Sequence, residues 1–89
     1  MTSTTMTPAY RDVTKTVTTY VCAVGLFGAS SSEVYLAVSP LGISLDLHRK
    51  VSAELVRQGL FTERSHFFEL TPKGRAMHDE IAGILFGAR

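Results

Sequence analysis

Residues 59–75 read GLFTERSHFFELTPKGR: two apolar and aromatic runs flank a polar centre, and a Thr-Pro pair follows. Leu60–Glu63 and His66–Leu70 alternate as two short strands do, with Arg64 and Ser65 between them. Thr71 then offers a hydroxyl N-cap and Pro72 a preset first helical residue. Behind them Met77, Ile81, Ile84 and Leu85 share one helix face. An isolated hairpin is marginal in water, so this one must pack Leu60, Phe68 and Leu70 against helices. Strand alternation turns Phe67 outward, with Phe61 as its expected companion.

The helices lie upstream. Thr7-Pro8 is a second helix start, and Val13, Val17, Tyr20, Val21 and Val24 follow one helical face. The β-branched residues between 14 and 19 favour a strand, but length and spacing select a helix over 8–27. From Tyr20 to Phe27 that helix is apolar on all sides, because Cys22 and Leu26 project away from the valine stripe. Such a helix asks for burial on every side, which in a small chain implies a second subunit. Ser30 and Ser31 offer caps for a short helix over 32–38. Pro40 and Gly42 make a turn, and Ser44 starts a helix over 45–58 that stops at Gly59. The fold class is therefore mostly α with a small β-hairpin (α+β), ordered helix, short helix, turn, helix, hairpin, helix. Residues 1–6, rich in threonine, read as a disordered tail, and 7–89 as a single domain.

Composition narrows the function. With 89 residues, 45% hydrophobic and 19% charged, the chain is near the lower size limit for a self-sufficient core. That favours a homodimer, with Val17, Cys22, Leu26, Ile81, Leu85 and Phe86 as its expected interface. A formal net charge of +1 gives no support by itself to nucleic-acid binding. One cysteine, Cys22, excludes an intramolecular disulfide, and its apolar helix suggests a packed thiol. The start has no secretory pattern, and the apolar run 20–29 is about half of the roughly 20 residues a membrane helix needs. The expectation is a cytoplasmic protein with no membrane partner.

The stretches EVYLAVSPLGIS, LVRQGLF and FFELTPKGR together resemble the winged helix-turn-helix regulators of the MarR and PadR type, from about Ser32 to Met77. The resemblance implies that helix 45–58 enters the major groove of duplex DNA, that the hairpin is a wing on the backbone, and that the outer helices dimerise. The chain departs from the pattern at Ser52, where the family usually carries an apolar residue, and in TERSH, a shorter and less basic wing.

On a helical wheel, Leu47, Val51, Leu55 and Val56 form the apolar side of 45–58, and Asp46, Arg49, Lys50, Ala53 and Arg57 lie opposite. With Ser44 at the helix start, Arg64 and His66 on the wing, and Lys73 and Arg75 at the last helix, these are the candidate DNA contacts. From His48 to Arg75, six Lys/Arg face three carboxylates, a modest excess suited to a few phosphate contacts. The same residues read equally well as solvated helix faces. His48, His66 and His78 lack the spacing of a metal set, and His48, on the apolar side, is expected to be buried and hydrogen-bonded. No nucleophile–base pair or Gly-rich phosphate loop is visible, and Asp79-Glu80 sit on a solvent face, so neither enzyme activity nor a cofactor is expected. Two functions follow. One is a DNA-binding transcriptional regulator, such as a repressor. The other is a winged-helix protein-interaction module or small inhibitor, such as a virus-encoded one, with Phe61 and Phe67 as its contacts.

Overall fold

The computed structural model describes residues 8–86, with side chains from 13 to 84. The Thr7 cap and the tail 1–6 lie outside the described residues, as do the side chains of Leu85 and Phe86. Among the described residues, four α-helices pack with a three-stranded antiparallel sheet. The chain order is α1 (Pro8–Val24), β1 (Ala29–Ser30), α2 (Ser31–Val38), a 3₁₀ turn (Ser39–Leu41), α3 (Leu45–Arg57), β2 (Phe61–Arg64), β3 (Phe67–Leu70) and α4 (Pro72–Phe86). The strands lie in the order β1-β3-β2. Among the described residues, no helix is long and apolar enough to cross a membrane.

α1 is a helix despite its β-branched run, but it ends at Val24, short of Phe27. Gly25 adopts φ 68° and donates to the Val21 carbonyl at 3.0 Å, the left-handed stop that glycine provides at lowest cost. Leu26 and Phe27 therefore stand in a turn, and Phe27 is 94% exposed. Gly28 follows because a side chain would collide there: a Cβ would lie 2.6 Å from the Phe67 ring.

Strand β1 was not expected from the sequence. It pairs Ala29 with Phe68 and Ser30 with Phe67, and its two residues are too few to show a period of two. Ser30 also caps α2. Its hydroxyl accepts from the Glu33 amide, and the Glu33 carboxylate accepts from the Ser30 amide, a reciprocal capping box.

The hairpin turn falls at Ser65 and His66, not at Arg64 and Ser65, and both residues have positive φ (51° and 64°). This two-residue geometry matches the right-handed twist of the flanking strands. Phe61 faces Leu70 and Glu63 faces Phe68 in the register. Directly opposed residues share a face, so Phe61 points inward and is 0% exposed, its ring 4.8 Å from that of Phe68. The outward position expected for Phe61 is therefore corrected. Leu60 is buried as well, but from the connection before the strand, so it does not enter the alternation. Phe67 does point outward, at 41% exposure.

The core gathers Tyr20, Val21 and Val24 of α1, Val34 and Val38 of α2, Ile43, Leu55 of α3, and the inward sheet residues. Cys22 is exposed on α1, so the packed thiol expected from its apolar helix is not seen among the described residues.

Candidate nucleic-acid interface

α2 and α3 are joined by the 3₁₀ turn and by Gly42, whose φ of 87° only glycine adopts readily. Ser44 ends that turn by accepting from the Leu47 amide at 3.1 Å, so its hydroxyl is committed to capping α3. Along α3, Asp46, Arg49, Lys50, Ala53 and Arg57 are all exposed, as the wheel requires.

Their charges are largely answered within the helix. Lys50 lies 3.3 Å from the Asp46 carboxylate one turn back. Arg57 forks onto Glu54 through Nε and Nη2, and the Gln58 amide joins the same carboxylate. The Arg57 guanidinium first, and then the Gln58 amide, hold the Glu54 carboxyl at about 2. Exposed pairs of this kind add little stability, but they give both cations a carboxylate partner.

Lys73 is committed too. Its Nζ donates to the Gln58 carbonyl at 2.9 Å, across from the C-terminus of α3, where a cation satisfies an orphan carbonyl and suits the helix dipole. Thr71 completes this weld. Its hydroxyl accepts from the Gly74 amide at 3.0 Å and lies within reach of the Gly59 and Leu60 carbonyls. The TPKG segment thus binds the start of α4 to the end of α3. Lys73, expected at a phosphate from its position at the helix start, makes this contact instead in this structure.

Of the six cations between His48 and Arg75, three remain without a carboxylate or carbonyl partner among the described residues: Arg49, Arg64 and Arg75. Arg49 lines a groove of about 460 Å³ between α2, α3 and the sheet turn, together with Ser31, Ser32, Ala53, Glu63 and His66. The turn that carries His66 is held there, because the Ser31 amide donates to the His66 carbonyl at 2.7 Å. The His66 ring is solvent-exposed and stands 3.7 Å from Glu63. Arg64 and Arg75 are exposed but do not line this groove. The structure thus brings Arg49, Ala53 and His66 together, pairs Lys50 and Arg57 internally, and draws Lys73 away.

Behind Arg49 lies a buried polar cluster that sequence reasoning foresaw only in part. His48 is 1% exposed. Its Nδ1 is 2.8 Å from the Tyr20 hydroxyl on α1, and its Nε2 is 3.0 Å from the Ser31 hydroxyl at the start of α2. Ser52 donates to the His48 carbonyl at 2.8 Å, which satisfies a hydroxyl at a position where an apolar residue would need no partner. The position of His48 on the apolar side was readable, but Tyr20 lies 28 residues away and no spacing rule links the two.

Of the expected interface residues, Val17 and Ile81 are half-buried against the core, while Cys22 and Leu26 are exposed. Further exposed apolar side chains are Val13 on α1 and Ile84 on α4. No protein-family model matches the chain, and comparison with curated proteins and with solved structures returns no match.

Proposed function

We propose that the chain is a winged helix-turn-helix protein that binds duplex DNA as a homodimeric transcriptional regulator. The observation that supports this most directly is the arrangement around Arg49. The outer side of α3, which carries Arg49 and Ala53 beside the exposed Leu45 and Leu47, follows a tight turn from α2, and a hairpin fixed by the Ser31–His66 bond flanks it. In this reading α3 enters the major groove and the β2–β3 turn meets the backbone. Ala53, small and central on the exposed face, allows close approach and suits a thymine methyl.

The internal ion pairs rank the contacts. Arg49→Ala is expected to weaken duplex binding by about 1–3 kcal/mol if the guanidinium reads a guanine edge. Lys50→Ala and Arg57→Ala are expected to cost less, since each cation must first leave its carboxylate. Fluorescence anisotropy at low and moderate salt, with a random duplex for phosphate contacts and a duplex selected from a random pool for base contacts, measures all three. Binding that Arg49→Ala leaves unchanged would count against the reading.

The dimer is supported by the apolar side chains exposed on α1, its following turn and α4. Size-exclusion chromatography at high micromolar concentration is expected to return a dimer, and Leu26→Glu a monomer. A clean wild-type monomer there would remove this part of the proposal.

One observation favours the second reading, a protein-docking module: Phe27 and Phe67 are both exposed on neighbouring turn and strand. If a protein is the partner, Phe67→Ala abolishes capture of that partner, and duplex affinity is weak for every sequence.

A further inference from the structure

We propose that His48 is a pH-operated lock between α1 and α3, closed while its ring is neutral and opened by protonation. The lock rests on buried hydrogen bonds within the chain and holds whether the partner is DNA or protein.

The hydrogen-bond inventory sets the tautomer. Tyr20 is fully buried, has one hydroxyl proton, and among the described residues its only partner is His48 Nδ1. That proton has nowhere else to go, so the phenol donates and Nδ1 is the bare, accepting nitrogen. Nε2 then carries the ring proton and donates to the Ser31 hydroxyl. Ser31 is half-exposed and can turn its own proton to water.

Protonation places a second donor on Nδ1, facing the phenol oxygen. The Tyr20 proton then has no acceptor inside a closed core, and an unmade buried hydrogen bond costs the full desolvation of its donor. The phenol cannot escape by ionising, because burial pushes it up to about 12. What gives way is the joint between α1 and α3.

The groups around the ring act in both directions. Tyr20 from α1 and Tyr35 from α2 pack against it, with ring centroids 5.7 and 5.3 Å away. Arg49 on α3 opposes a second positive charge, whereas Glu63 of β2 and a backbone hydrogen bond at Ser31 favour it. His66 lines the same groove. Burial is the largest influence, and it lowers the pKa of His48 from 6.5. The sign follows by linkage. The unfolded chain takes up this proton as pH falls through about 6.5, and the folded chain does so only below it. Stability is therefore full above that pH, declines beneath it, and levels off below the folded pKa.

Ring ¹⁵N–¹H spectra of the full chain between pH 8 and 5, with urea midpoints at the same pH values, test this. The expected result is an Nε2–H tautomer for His48 and a titration midpoint below 6.5. The folding equilibrium constant should fall by up to about tenfold per pH unit between the two pKa values. His48→Gln should remove that fall, and Tyr20→Phe should reduce it while lowering the midpoint at pH 7.5. The wild-type spectra decide the matter even where a variant fails to fold. An Nδ1–H tautomer, a His48 midpoint at or above 6.5, or a fall that tracks His66 or His78 overturns the proposal.

Discussion

Replacing Phe61 with Ala is expected to leave the chain largely unfolded at room temperature. The side chain is wholly buried and packs at 4.8 Å on Phe68, where the sheet meets the helices. Deleting a buried phenylalanine costs about 3–5 kcal/mol, through lost transfer energy and the cavity left behind. Domains of this size hold only about 5–15 kcal/mol in total, and small ones sit near the bottom of that range. Phe67→Ala, one residue before Phe68 on the opposite face, provides the control and should cost well under half as much. Urea denaturation followed by circular dichroism separates the two. Equal midpoints would mean that the register pairing Phe61 with Leu70 is not the one in solution.

Gly74→Ala should be the second most damaging change, and its sign is the test. In a helix interior, alanine is better than glycine by about 1 kcal/mol, so propensity alone makes this substitution stabilising. Here the added Cβ would stand 1.9 Å from the Leu60 carbonyl oxygen, with the Leu70 side chain at 3.1 Å. The obstacle is backbone and cannot swing aside. α4 must therefore retreat from the α3–β2 connection, stretching the Thr71 and Lys73 bonds to the Gln58, Gly59 and Leu60 carbonyls. A loss of about 3 kcal/mol, the upper end of ordinary overpacking, is the expected result. A thermal midpoint equal to or above wild type would show that α4 does not approach so closely.

Local signals carried much of the architecture. Thr71-Pro72, Ser44 with its capping hydroxyl, Gly42 and Gly59 each act within a few residues of themselves, so each was readable in place. The helix periodicity of α1 prevailed over its β-branched residues because burial of a stripe outweighs a weak intrinsic preference. The candidate surface was legible to a similar degree. The wheel separated Arg49, Lys50 and Arg57 from the core side, and the Asp46–Lys50 and Glu54–Arg57 spacings already allowed the pairs that occupy two of them.

By itself, then, the sequence determined the starts of α3 and α4, the presence of a hairpin, and most of the core side of α3, Leu47 excepted, since short-range hydrogen bonding and periodic burial act along the chain. Only the tertiary structure decided the rest. Gly25 ends α1 inside an apolar run that looks continuous, and β1 exists only because β3 lies beside it. Phe61 turned inward because the Ser65-His66 turn fixes its opposition to Leu70, and a strand's facing residues are set by its partner's register. Lys73 found the Gln58 carbonyl, and His48 found Tyr20, across gaps of 15 and 28 residues. Such pairings are chosen by which groups the packed core leaves unsatisfied, and that is settled only when the elements meet.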